Sequence, residues 1–192
     1  MTGESAQTAT RAIELDVPEN EVLYTIKDRV ATVTLNRPDR LNATNHTLPY
    51  SVSKAMQLAA NDPGVRVIVI TGAGRAFCAG ADRTRLEAGR SGGARMVYPP
   101  DDPAFFESVT TPKGPDLGKE FMDIRRYSYF MRLGKPVIAG LNGAVAGGGM
   151  IPALCADIRL AAANLFFPTS FPQRGLIPEH GLSWPPPPPR RP

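Results

Sequence analysis

Three consecutive glycines, Gly147, Gly148 and Gly149, follow the apolar run KPVIAGLN (135–142) and precede a helix-like stretch over 149–156. A second glycine-rich segment, TGAGRAFCAGAD (71–82), follows the apolar run VRVIVI (65–70). Glycine in a helix interior costs roughly 1 kcal/mol against alanine, so a triplet points to a tight turn or to a ligand approaching the backbone. In α/β folds, ligands bind beyond the carboxyl ends of the strands. One backbone N–H from each loop could converge on a single oxygen and stabilise negative charge developing there. From the spacing alone, two closely packed tight turns are the favoured account. A dinucleotide loop is the competing chemistry, because Gly72-Ala73-Gly74-Arg75-Ala76-Phe77 begins like GxGxxG. Phe77 stands in place of the third glycine, and 142–149 does not have the spacing either, so a nicotinamide or flavin site is not expected.

These loops need strands to hold them, and the chain supplies candidates. VLYTIK (22–27) and VATVTLN (30–36) are rich in β-branched residues, and Asp28-Arg29 between them reads as a hairpin turn. RPDRLNATN follows as a loop, with Asn45 or Thr47 as the candidate helix cap. Residues 47–60 read as a helix, which Asn61-Asp62-Pro63-Gly64 ends. VRVIVI and PVIAGLN (136–142) read as further strands, and DIRLAA and LFFPTS as two short ones. Residues 89–116 read as loop. In 117–133, Leu117, Phe121, Ile124, Tyr127 and Met131 recur at helical spacing, which predicts an amphipathic core helix stopped by Gly134. Pro152 fits the first turn of the helix after the glycines. Strands alternating with helices predict an α/β fold with a largely buried sheet.

Composition excludes several functions. The 192 residues are 42% hydrophobic, ordinary for one domain. The 22 basic and 18 acidic residues are interspersed, which argues against nucleic acid as a partner. Cys78 and Cys155 form no disulfide framework, and with His46 and His180 they give no metal-ligand spacing. There is no signal-peptide pattern, and VRVIVI is too short to cross a bilayer. A soluble cytoplasmic protein, off the membrane and without a metal, is expected.

Four segments, NRPDRLNA (36–43), TGAGRAFCAGAD (71–82), KPVIAGLNGAVAGGGM (135–150) and CADIRLAA (155–162), occur in an order that resembles the enoyl-CoA hydratase/isomerase family, the crotonases. The resemblance covers about 22–184. It implies a spiral of repeated strand-strand-helix units and an acyl-CoA thioester substrate that passes through an enolate-like intermediate. No separate cofactor is implied, since coenzyme A arrives with the substrate. The family is usually a trimer or a pair of trimers. Carried across residue by residue, the resemblance puts the oxyanion hole on the backbone N–H groups of Ala79 and Gly148, with Gly148 at a helix N-terminus. A side chain at Gly148 would obstruct the thioester. The coenzyme A cradle maps to Arg40, Leu41, Ala79, Ala81 and Asp82, although Asp82 is equally suited to capping a helix.

The acid/base pattern departs from that of the hydratases. They carry two glutamates, one to activate water and one to deliver a proton. The matching positions here are Ile151 and Phe171, which line an acyl pocket and move no proton. RGLIPEHGLSW (174–184) is similar to enoyl-CoA isomerases, in which a single glutamate shuttles a proton. That role falls on Glu179, whose pKa an apolar acyl site would raise toward the range of a base. Double-bond isomerisation is therefore expected over hydration, as a step in fatty-acid metabolism. An inactive acyl-CoA-binding homologue is the alternative.

Three regions are expected along the chain: a disordered leader over 1–20, a core domain over 21–184, and a proline-rich tail over 185–192. Family members continue past GLSW into further helices. Here PPPPPRRP follows Trp184, so a truncated core without the C-terminal helices is expected. A partner recruited by the proline tail is a third, weaker reading.

Overall fold

The computed structural model describes residues 9–15, 20–45, 47–82, 127–169 and 171–172. Its main sheet begins with β1 (Arg11–Ile13), β2 (Val22–Lys27) and β3 (Val30–Leu35), all antiparallel. Asp28 and Arg29 join β2 to β3, with φ of 49° and 65°. Two positive φ values in a two-residue loop match the right-handed twist of the flanking strands, so the predicted hairpin forms without glycine. The strand β1 lies inside the stretch expected to be a disordered leader; Ala12 and Ile13 pair with Thr25 and Tyr24.

From β3 the chain crosses over through α1 (Leu48–Asn61) to β4 (Val67–Gly72), which pairs with β3 in parallel. Then β5 (Ala76–Cys78) leaves the sheet. Later in the chain come β6 (Val137–Leu141), β7 (Ala144–Val145), α2 (Met150–Cys155) and β8 (Ile158–Ala161). The main sheet runs β1-β2-β3-β4-β6-β8, and β5 pairs with β7 in a second, two-stranded parallel sheet. Ala31, Val33 and Leu35 of β3, Ile68 and Ile70 of β4, and Val137, Ala139 and Leu141 of β6 are buried at alternate positions. They share one core with Leu48, Val52, Ala55, Met56 and Ala59 of α1. This period of two against a helical stripe is what a sheet covered by a crossover helix requires.

Polar side chains close the element ends. Asn45 Oδ1 accepts the Leu48 N–H at 2.9 Å, so Asn45 and not Thr47 supplies the side-chain cap of α1. At the other end, Lys135 Nζ donates to the carbonyls of Ala59 and Asp62 at 2.7 and 2.6 Å, a cation at a helix C-terminus. Asp157 Oδ2 accepts the Val137 N–H at 2.7 Å and fixes the start of β6. Arg159 Nη1 donates to Ala156 O at 2.7 Å, just past the end of α2. Pro152 sits in the first turn of α2, where its missing N–H costs nothing.

Two expectations change. Of the predicted helix over 117–133, Tyr127 onward is described, and Ser128–Arg132 is a 3-10 turn. Tyr127 has φ of 58°, a left-handed conformation that an α-helix cannot pass through, and Met131 faces solvent instead of the core. LFFPTS forms no strand between Leu165 and Thr169: Phe166 O accepts the Val145 N–H, and Thr169 O accepts the Phe171 N–H at 2.6 Å. The tail over 185–192 and the loop over 89–116 lie outside the described residues.

The Tyr24 hydroxyl is buried and finds no hydrogen-bond partner among the described residues. Burial first, and then the charge of Asp62, push its pKa up to about 12. The unfolded chain releases this proton near 10, so between pH 10 and about 12 the unfolded state binds fewer protons and stability falls as pH rises. Tyr24→Phe is expected to leave stability at pH 7 equal or slightly higher, since it removes an unpaired buried hydroxyl. It should also make the alkaline fall shallower. Urea unfolding at pH 7, 10 and 12 measures both.

Candidate functional site

The two glycine-rich loops come together because β5 and β7 pair in parallel, Ala76 with Ala144 and Cys78 with Val145. Beyond them run Ala79-Gly80-Ala81 on one side and Ala146-Gly147-Gly148 on the other. The Ala146 N–H donates to Cys78 O at 3.0 Å. A Cβ built on Gly80 would lie 2.8 Å from Ala146 O, so the two backbones are in contact.

The hydrogen bonds decide which amides of these loops are available. The Ala79 N–H donates to Leu41 O at 3.0 Å. It therefore cannot serve as the oxyanion donor in this arrangement, and the expectation for Ala79 is corrected. Ala81 forms a parallel bridge with Thr44: the Thr44 N–H donates to Gly80 O at 2.7 Å and the Asp82 N–H to Thr44 O at 2.9 Å. In such a bridge the middle residue turns its own N–H to the opposite side. The N–H groups of Ala81 and Gly148 have no acceptor among the described residues.

Each glycine of the triplet has its own reason. Gly147 has φ of 50°, where a Cβ is strained. A Cβ on Gly149 would lie 2.3 Å from Cys78 O, so Gly149 is required by close packing. A Cβ on Gly148 would meet nothing within 4 Å among the described residues. Gly148 thus lies in the 3-10 turn Gly147–Gly149 that enters α2, and no described residue fills the space beside it or takes its N–H.

The other candidates are placed as follows. The Arg40 side chain is exposed, with Asp39 3.7 Å away. Leu41 has φ of 51° and lends its carbonyl to Ala79. Asp82 is buried and its Oδ2 lies 3.0 Å from Arg37 Nη2. Ile151 is buried in the core, and Phe171 packs against that core half-buried. Glu179 and its neighbour His180 lie outside the described residues, as does His46. Cys78 is buried, and burial pushes its thiol pKa up despite a bond with the Gly80 backbone and the Thr44 Oγ1 3.7 Å away. A neutral thiol there packs and does not attack. Among the described residues no group of three or more His, Cys, Asp or Glu could hold a metal ion, and no helix is long and apolar enough to cross a membrane.

Residue types alone did not single out two asparagines and an arginine. Asn42 Nδ2 donates to Ala73 O and Ala76 O at 2.9 and 2.8 Å, and its Oδ1 accepts the Arg37 N–H at 2.8 Å. Asn142 Oδ1 accepts the Gly72 N–H at 3.1 Å, and its Nδ2 donates to Gly74 O at 2.9 Å. Together they hold the turn between β4 and β5. Arg37 joins Glu21 and Asp82, its Nε 3.1 Å from Glu21 Oε1. All three lie in or beside quoted motifs, yet a motif does not say which of its side chains turn inward.

Comparison with known proteins gives this geometry a setting. The enoyl-CoA hydratase/isomerase family model matches residues 30–187. Over 166 residues the chain is 37% identical to the "Probable enoyl-CoA hydratase EchA14" of Mycobacterium tuberculosis, covering 85% of this chain and 55% of that protein. Over 168 residues it is 34% identical to the 1,2-epoxyphenylacetyl-CoA isomerase of Escherichia coli, with coverage of 85% and 55%. The crystal structure of an enoyl-CoA hydratase, EchA12_1, from Mycobacterium marinum matches with a TM-score of 0.59 at 36% identity, over 86% of this chain and 63% of that one. The crotonase-like α/β fold is shown by these matches, and the chain spans about half the length of the curated relatives it matches.

The triplet yields a contrast that separates packing from ligand space. Gly149→Ala should destabilise the fold by about 2 kcal/mol or more through overpacking, and Gly147→Ala by about 1 kcal/mol through its left-handed φ. Gly148→Ala should change stability by less than about 0.5 kcal/mol, because its Cβ meets no atom of the described residues. Denaturant midpoints of the three variants test the ordering.

Proposed function

The chain belongs to the enoyl-CoA hydratase/isomerase family, and from that premise we propose that it binds an acyl-CoA thioester and isomerises a double bond within the acyl chain. One observation carries the reading. Among the described residues, the N–H groups of Ala81 and Gly148, on two touching loops, are without acceptors, and nothing fills the space beside Gly148. A thioester oxygen accepting both bonds would gain most when it becomes an enolate oxyanion. Each preorganised donor of this kind contributes about 3–4 kcal/mol to the transition state.

The proton chemistry follows from which carboxylates are absent. Ile151 and Phe171 stand where the resemblance puts the two glutamates of a hydratase, and neither can activate water or protonate carbon. Glu179 is the carboxylate that the resemblance leaves for the task. In this reading it takes a proton from C2 of a 3-enoyl thioester. The charge moves onto the thioester oxygen between Ala81 and Gly148. The protonated Glu179 then returns the proton to C4, giving the 2-enoyl thioester with no net gain or loss of atoms. Ile151 and Phe171 keep the acyl site apolar, which favours a carboxyl of raised pKa as the base. The Escherichia coli relative is named for isomerising an epoxyphenylacetyl-CoA, which supports a thioester substrate, and the hydratase names of the others support the family alone.

A thermal melt of the 192-residue chain with acetoacetyl-CoA tests binding, and parallel isomerase and hydratase assays test the chemistry. The expected result is a transition that rises with ligand, isomerase turnover in excess of hydration, and about a hundredfold or larger loss of kcat in Glu179→Gln with the ligand shift retained. Hydration unaffected by Glu179→Gln would overturn the isomerase assignment. A ligand shift without turnover in the parent would mean an acyl-CoA-binding homologue that does no chemistry.

A further inference from the structure

We propose that Arg37 is a positioning residue that sets the direction of the Ala81 N–H by clamping both sides of the Thr44–Ala81 bridge. This rests on the reading of Ala81 as an oxyanion donor. The bridge is isolated, and two backbone hydrogen bonds hold it. A third, from the Ala79 N–H to Leu41 O, ties the same two segments on the side before the bridge, and the residue after Ala81 has to be fixed by something else. One guanidinium does this and reaches both sides of the bridge. Nη1 donates to the carbonyl of Ala43, the residue before Thr44. Nη2 lies 3.0 Å from Oδ2 of Asp82, the residue after Ala81.

The arginine is itself held. Nε lies 3.1 Å from Oε1 of Glu21, which is buried, and Glu21 Oε2 accepts the Thr47 hydroxyl at 2.6 Å. Glu21 O also accepts the Asn36 N–H at 2.6 Å, and the Arg37 N–H is bonded to Asn42 Oδ1 at 2.8 Å. Guanidinium, carboxylates and backbone thus form a chain from the start of β2 to the residue beside Ala81. A buried ion pair is a weak way to add stability, because desolvation offsets most of the attraction. It is an effective way to fix geometry, because the guanidinium is planar and its donors point in set directions. Lysine has the charge but not the fork, so it cannot reach Ala43 O, Glu21 and Asp82 in the same geometry.

Arg37→Lys therefore separates positioning from folding. Three quantities are read in the wild-type chain and the variant: the melting temperature, the 15N–1H amide shifts of Ala81 and Gly148 without ligand, and kcat and KM for a 3-enoyl-CoA. The expected result is a folded variant whose Ala81 amide shift moves while that of Gly148 stays. Its kcat should fall about tenfold or more, with KM changed less than about threefold, as for loss of alignment at one oxyanion donor. If Arg37→Lys does not fold, Asp82→Asn keeps a hydrogen-bonding side chain, drops the charge and carries the same expectation. An unmoved Ala81 shift in a folded variant overturns the proposal, as does unchanged kcat. If the wild-type chain itself has no turnover, the functional reading fails, and the Ala81 shift still decides whether Arg37 positions that amide.

Discussion

The turn between β4 and β5 needs its carbonyls satisfied, and the rest of the site depends on how that is done. Ala76 presents its carbonyl oxygen to a buried region, where leaving it unpaired would cost about 1–3 kcal/mol, Ala73 to a half-buried one, and Gly74 to the surface. Asn42 takes Ala73 O and Ala76 O from one side, and Asn142 takes Gly74 O from the other. Each asparagine belongs to a different loop, so satisfying one turn ties three segments together. Close packing against this turn explains Gly143: a Cβ there would lie 2.1 Å from Arg75 O. With the turn fixed, β5 has one place to lie beside β7. With β5 placed, Ala81 and Gly148 are brought to adjoining loops.

The parts of this legible in the sequence are those with a period or a turn signature. The alternation in β2 and β3, the Asp28-Arg29 hairpin and the firm stop after α1 can be read because each depends on residues within a few positions. Ala79 and Ala81 show where such reading ends. They stand two apart in the same motif and have the same side chain, with Gly80 at φ of 99° turning the chain between them. What distinguishes them is the partner of each N–H: Leu41 O for Ala79 and nothing described for Ala81. That partner lies some forty residues earlier in the chain, and no local pattern encodes it. Met131 is a similar case. Its spacing from Tyr127 is helical, but the left-handed φ at Tyr127 re-aims everything after it, and Met131 points to solvent.

Most of the motif residues are engaged in holding the fold. Lys135 closes the end of α1, Asp157 opens β6, and Arg159 binds a carbonyl just past α2. A strong match to the family over these residues is therefore a statement about backbone geometry. It carries the fold, and the two donors proposed above are backbone atoms of that same geometry. It does not carry the acid and base, which are side chains at positions such as Ile151 that the fold tolerates in several forms.

The division has a physical cause. An oxyanion hole made of amides persists under almost any substitution that preserves the turn, because its functional atoms are common to every residue but proline. A general base is lost with one codon. A scaffold of this kind can keep a site for polarising a thioester while its proton chemistry changes, and in the proposed reading Ile151 in place of a carboxylate is such a change. What such a scaffold must protect is the aim of its amides. The guanidinium of Arg37 joins Ala43 O, Glu21 and Asp82, so a buried network of modest net stability becomes understandable: it fixes a direction to which the energetics of folding alone are nearly indifferent.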